Sequence, residues 1–178
     1  VERRDGLYLI GKELIPTHNS HMLTNLGANA IRYGFSVFHF TFGDMEDIEV
    51  LVRYAGNFTG INTQNIFSGN GSNYDASIVE VLKSVSADLF VSTHPADTIT
   101  TSQLNSMISR MIAQTGVKPG MVVVDYADNL ATGMKYTSDP GEISARMGHT
   151  YQQLAKIAAK YDVLVWTGSQ VKLPNWGD

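Results

Sequence analysis

The sequence predicts an α/β domain: a mostly parallel sheet with helices on both faces, preceded by a short N-terminal β segment. Three observations lead there. Apolar runs of strand length alternate along the chain with stretches of helical period. The runs at residues 37–42 and 121–124 are apolar at successive positions, so both faces of those strands must be covered, as in a parallel sheet. Acidic residues stand at the carboxyl ends of both runs, on the rim where ligands of such sheets usually bind.

Residues 7–10 and 13–15 are short extended runs around Gly11-Lys12, which read as a hairpin or a bent strand. They do not fit the rhythm that follows. Residues 21–33 form an amphipathic helix, 36–42 a strand, and 47–55 a helix with Ile48, Leu51, Val52 and Ala55 at helical spacing. The Gly/Asn/Ser-rich residues 56–74 read as a long surface connection before a helix at 75–85. A short strand at 88–93, a helix at 100–114 and a strand at 121–125 come next, the last opened by the turn Lys118-Pro119-Gly120. The longest helix, 141–161, aligns Ile143, Met147, Tyr151, Leu154, Ala158 and Tyr161 on one face, and residues 162–167 close the series as a strand.

Composition narrows the class. A chain of 178 residues with 43% hydrophobic residues can bury a sizeable core. No run of about 18 apolar residues suggests a membrane span, and Val1-Glu2-Arg3-Arg4 does not open like a signal peptide. The absence of cysteine excludes disulfides, thiolate zinc sites and cysteine nucleophiles, and fits a cytoplasmic location. A net charge of −4 excludes a strongly basic nucleic-acid coat, though not a few cations placed in a pore.

Residues 121–130, Met-Val-Val-Val-Asp-Tyr-Ala-Asp-Asn-Leu, carry the clearest chemistry. A buried strand ending in Asp125 can hold one carboxylate at the sheet's rim, where it binds the water shell of Mg²⁺ beside nucleotide phosphates. The bland alternative is a buried strand whose Asp125 merely caps a helix or closes a turn. His39 and His94, on or just after strands, read as core or rim histidines, because no second ligand stands at zinc spacing. Trp166 is an apolar strand residue, and Trp176 an exposed-loop candidate for base stacking.

Val124-Asp125-Tyr126 with Asn129-Leu130, then residues 151–162 and Val-Leu-Val-Trp-Thr-Gly-Ser-Gln at 163–170, resemble the RecA-like ATPase core of DnaB-type hexameric replicative helicases, especially the phage version. Asn25-Leu26-Gly27-Ala28-Asn29-Ala30 resembles the helix after that family's phosphate loop. The resemblance covers residues 20–178. It implies hydrolysis of ATP or another NTP with Mg²⁺, translocation on single-stranded DNA and a homo-hexamer in the cytoplasm of a bacterial or phage-infected cell, with no membrane partner. It implies that Asp125 and Ser20 bind Mg²⁺ and nucleotide and that Gln170 is the sensor coupling γ-phosphate state to the DNA loop. Lys135, Arg146 and Lys172 lie near the family's pore loops and become candidates for phosphate contact, with solvated surface charge as the alternative. Where the family usually has a Glu to polarise water, this chain has Thr41-Phe42-Gly43-Asp44-Met45, so Asp44 is the candidate, with a shorter reach and a turn role as alternative. The family's later motifs, the arginine finger included, are expected beyond Asp178.

The segment before Ser20 departs from the family. A phosphate loop, G-x-x-x-x-G-K-[ST], should finish at Ser20, yet Ile15-Pro16-Thr17-His18-Asn19 precede it. Residues 5–10 followed by Leu14-Ile15-Pro16-Thr17-His18-Asn19-Ser20 resemble the C-terminal end of an intein joined to its downstream extein, although Pro16 departs from the usual apolar residue. That resemblance implies that the Ser20 hydroxyl attacks an upstream ester or thioester, and that the Asn19 amide cleaves its own peptide bond as a succinimide with help from His18. An O-to-N acyl shift then restores a normal bond at Ser20. The expected domains are an intein fragment, 1–19, and a partial RecA-like core, 20–178, needing a separate N-terminal helicase/intein partner that carries Gly-Lys. The alternative is a degenerate phosphate loop with Asn19 or Ser20 as helix cap, in a non-catalytic RecA-like module acting in oligomer assembly.

Overall fold

The computed structural model describes residues 8–10, 15–17, 19–43, 45–67, 80, 83–133 and 139–169. Strands β1 (Tyr8–Ile10) and β2 (Ile15–Thr17) pair only with each other, antiparallel, with Ile10 opposite Ile15. The expected second run, 13–15, therefore lies two residues further along the chain. Helix α1 (Asn19–Arg32) follows almost at once. Asn19 and Ser20 thus form its first turn instead of preceding it.

From β3 (Val37–Phe42) the chain alternates regularly. Helix α2 (Asp47–Thr59) is followed by the short α3 (Thr63–Phe67), β4 (Leu89–His94), α4 (Thr101–Thr115), β5 (Met121–Asp125), a 3₁₀ turn (Ala127–Asn129), α5 (Pro140–Tyr161) and β6 (Leu164–Thr167). The helix boundaries have local causes. Thr100 and Gln103 form a reciprocal capping box at α4, with the Gln103 amide donating to the Thr100 hydroxyl at 3.2 Å. Asp139 accepts from the Glu142 amide at 3.0 Å, and Pro140 begins α5 where its missing N–H costs nothing.

Two expectations need correction. Residues 56–74 are not one connection: α2 runs through Gly56 to Thr59, and α3 lies within the stretch. Gly56 is tolerated inside the helix because the chain folds back on it, with Thr63 Cγ2 only 2.9 Å from where a Cβ would be. The buried face of α5 is Thr150, Leu154 and Ile157, whereas Ile143 is 39% and Tyr151 36% exposed. Thr150 can enter the core because its hydroxyl donates to the Arg146 carbonyl at 3.2 Å, which a count of apolar residues does not foresee. Of the expected 75–85 helix, residues 80, 83 and 84 are helical, and residues 75–79 and 81–82 lie outside the described residues.

The main sheet has the order β4-β3-β5-β6, and every pair in it is parallel. Central strands β3 and β5 are buried at every position. On one face, Leu23 and Ile31 of α1 and Val50 and Tyr54 of α2 pack with Val37, Met121 and Val123. On the other, Leu104 and Ile108 of α4 and Leu154 and Ile157 of α5 pack with Phe38, Phe40, Phe42, Val122 and Val124. The alternation of side chains across each strand sorts residues between the two cores. Neighbouring β3 and β5 send their following helices to opposite faces, which makes the crevice at their carboxyl ends the switch point of the sheet. His39 is a core residue at 1% exposure, and His94 is a half-buried rim residue stacked on Phe42, both as expected.

Candidate nucleotide-binding site

Asp125 stands at the switch point. The four apolar residues before it anchor β5 in both cores, so the strand delivers its carboxylate to the rim while keeping it 2% exposed. In parallel register it lies beside Thr41 of β3, and both side chains point to the face that α1 covers. Ser20, in the first turn of α1, donates its hydroxyl to the Asp125 carboxylate. The N-terminal end of α1, with its unpaired amides and positive dipole end, is thereby held at the carboxyl end of β5.

This carboxylate is under opposing influences. Burial pushes its pKa up, while the Ser20 hydrogen bond and the Arg53 guanidinium charge from α2 pull it down. Asp125 Oδ1 has no hydrogen-bond partner, and neither has the buried Thr41 Oγ1 beside it. An orphaned buried carboxylate oxygen costs free energy unless another group satisfies it. The donor set suits Mg²⁺, which takes one or two protein oxygens and completes its octahedron with phosphate and water. Among the described residues no three His, Cys, Asp or Glu converge, so they build no all-protein metal cage.

Behind Asp125, buried His39 and Tyr54 share a 2.9 Å hydrogen bond. Burial, assisted by the charge of Arg53, lowers the His39 pKa to about 3 and keeps the ring neutral. Burial also pushes the Tyr54 hydroxyl well above its ordinary value, with the Asp125 charge adding to the rise. The turn after Asp125 ties the rim together. The Asn129 side-chain amide donates to the Phe42 carbonyl of β3, and the Asp97 amide donates to the Asn129 carbonyl at 2.9 Å. From the β6 side, Thr167 Oγ1 accepts from the Ala127 amide at 2.9 Å, and Ser169 Oγ donates to Asp128 Oδ2 at 2.9 Å. The residues leading into position 170 are thus bonded to the turn that carries Asp125.

Of the residues singled out from sequence, Asp125 and Ser20 are brought into direct contact. Asn19 opens α1, and Arg146 is half-buried in α5, on the face opposite α1. His18, Asp44, Lys135, Gln170, Lys172 and Trp176 lie outside the described residues. Sequence reasoning missed Arg53, Thr41 and the His39–Tyr54 pair as parts of this site. For Thr41 a signal existed, since it occupies the last inward-facing position of a run ending at the same rim. Arg53 sits one residue from Tyr54 on α2, and nothing in the spacing announces its nearness to Asp125.

No family model and no curated protein matches the sequence. Solved structures do match. The ATPase domain of gene 40 product superposes with a TM-score of 0.62 at 15% identity, covering 82% of this chain and 50% of that one. A DnaB-like replicative helicase, solved to describe its interactions with primase, superposes with a TM-score of 0.53 at 16% identity, over 80% of this chain and 36% of that one. The chain therefore spans half or less of the length of these structures. No helix among the described residues is long and apolar enough to cross a membrane. With four parallel strands and helices on both faces, the chain has the RecA-like α/β fold found in the ATPase domains of DnaB-like replicative helicases.

Proposed function

We propose that residues 20–178 are part of the ATPase core of a DnaB-type, phage-like replicative helicase, and that residues 1–19 are the C-terminal fragment of a split intein that joins this core to a separately made N-terminal part. The observation that carries the ATPase reading is the Asp125 carboxylate, buried at the switch point with one oxygen unpartnered and the first turn of α1 bonded to the other side of the group. Ser20 and Asp125 would hold Mg²⁺, which when bound neutralises charge on the nucleotide phosphates. Asp44 would orient the attacking water, and Gln170 would pass phosphate state, through the Ser169–Asp128 and Thr167–Ala127 bonds, to the turn after Asp125. Lys135, Arg146 and Lys172 would contact single-stranded DNA in a homo-hexamer.

The seam at Asn19–Ser20 is supported by the separate pairing of β1 and β2, which add nothing to the main sheet although they directly precede its first helix. The same observation favours a second reading, a non-catalytic module whose phosphate loop has been replaced. Mass spectrometry after mixing with an N-terminal partner separates the two. Splicing releases a fragment ending at Asn19 and is blocked by Asn19→Ala, whereas identical masses for wild type and variant leave only the second reading. Mg²⁺-dependent ATP hydrolysis by the ligated product, lost on Asp125→Ala, is the expected activity; retention of activity in that variant would remove Asp125 from the mechanism.

A further inference from the structure

We propose that the free edge of β6 is the docking site for an apolar β-strand supplied by a second polypeptide, running parallel to β6. The inference rests on the reading of residues 1–19 as a removable segment. It starts from an orphan crossover. Helices α2, α4 and α5 each leave a strand of the main sheet, whereas α1, which packs on that sheet and leads into β3, is preceded by β2 of the other sheet.

Handedness locates the strand that α1 lacks. The β3-α2-β4 connection moves toward the β4 edge with its helix on the α1 face, and the β4-α4-β5 and β5-α5-β6 connections move the other way with helices on the opposite face. Parallel crossovers are right-handed almost without exception. Helix α1 lies on the same face as α2, so its connection into β3 must also move toward the β4 edge, and the strand feeding it must lie on the β5 side of β3. Those positions are held by β5 and β6, and the next one is the outer edge of β6. The direction follows as well. Because α1 begins at the carboxyl end of β5, a strand leading into it ends on that rim and runs parallel to β6.

The edge has the features of a buried strand left bare. Leu164 is 61% and Trp166 41% exposed, and both point to the α1 face, in register with buried Met121 and Val123. The Leu164 amide donates inward to the Gly120 carbonyl at 3.1 Å, so by strand alternation the main-chain groups of Val165 and Thr167 face outward. Negative design of a permanent edge usually puts Lys, Pro or a bulge there, and Leu-Val-Trp-Thr has none of these. An unprotected edge with bulky apolar side chains on one face is what a strand-adding partner recognises.

The probe is a lysine-flanked synthetic peptide with about six Val and Ile residues, the usual strand length, followed by Gly-Ser-Ser-Ser-Ser-Gly-Lys, added to the full chain in a Trp176→Phe background. Binding should shift Trp166 emission to the blue and protect the Val165 and Thr167 amides from exchange. Val165→Pro removes one outward N–H at an edge where Pro is tolerated and should weaken binding by about tenfold, the worth of one well-made edge hydrogen bond. Trp166→Gln, at an exposed position, should weaken it too, with thermal unfolding of both variants showing that the fold persists. No shift and no protection with folded wild-type protein overturns the proposal. Self-association abolished by Val165→Pro, without peptide binding, also overturns it in favour of a second copy at this edge. The docking and ATPase readings fail separately: a bound strand in a ligated product without ATPase activity rejects the helicase reading alone, and an active ligated product whose β6 edge still exchanges freely rejects the docking.

Discussion

The Tyr54 hydroxyl lies against Gly27, in the space a Cβ on that residue would fill. This contact lets α1 and α2 cross closely on one face of the sheet, and the same hydroxyl is bonded to His39. The packing of two helices and a buried polar pair therefore depend on one missing methyl group.

Gly27→Ala should lower stability by about 2–3 kcal/mol, at the upper end for overpacking, because Tyr54 cannot retreat without breaking its bond to His39. Tyr54→Phe removes the clashing atom and should recover part of the loss in the double variant. Urea unfolding of the four proteins in the cycle checks this, and strictly additive effects would show that the two positions do not interact.

Acid should destabilise the protein earlier than ordinary carboxylate titration would. With a folded pKa of about 3 against an ordinary value of 6.5, His39 stays neutral in the folded chain while the unfolded chain takes up a proton. The stability is fully present above pH 6.5 and is lost as pH falls toward 3, by about 2 kcal/mol at pH 5. Asp125, whose folded pKa is raised, works in the opposite sense and limits the loss. Thermal unfolding between pH 7.5 and 5 should show the decline in wild type and a flatter profile in His39→Gln.

Asp125→Asn should make the chain more stable at neutral pH while removing the proposed Mg²⁺ site. Ionised Asp125 bears a burial cost in the folded state that is absent when the chain unfolds. The amide keeps the volume without the charge, and a gain of about 2–4 °C in Tm at pH 7.5 is expected, the shift about 1 kcal/mol produces in a domain of this size. The gain should shrink as pH falls and wild-type Asp125 becomes protonated. A lower Tm for the variant at pH 7.5 would mean that the carboxylate carries no net burial cost.

Asn129→Ala should cost about 1–2 kcal/mol by leaving the Phe42 carbonyl without its donor. If the turn relays phosphate state, the ligated variant should also lose kcat more than it raises KM for ATP. A stability loss with unchanged kinetics would confine Asn129 to a structural role.

The alternation of strands and helices, the two doubly buried strands and the rim position of Asp125 could all be read from the chain, because side-chain periodicity is a local property. Residue 150 shows where local reading stops. A threonine counts as polar in any pattern, and only its bond to the Arg146 carbonyl explains how it enters the core in place of Ile143 and Tyr151. The departure at His18-Asn19-Ser20 was likewise visible as a break in a motif, but that β1 and β2 pair apart from the main sheet is a matter of long-range pairing.

By itself, then, the sequence determined which segments become strands and helices and which residue types stand at the rim, since propensity and period act over a few neighbouring residues. The tertiary structure decided the order β4-β3-β5-β6, the meeting of Ser20 with Asp125 across more than a hundred residues, and the bare edge of β6. Those depend on which faces are buried against which, and that is settled only when distant apolar surfaces leave water together.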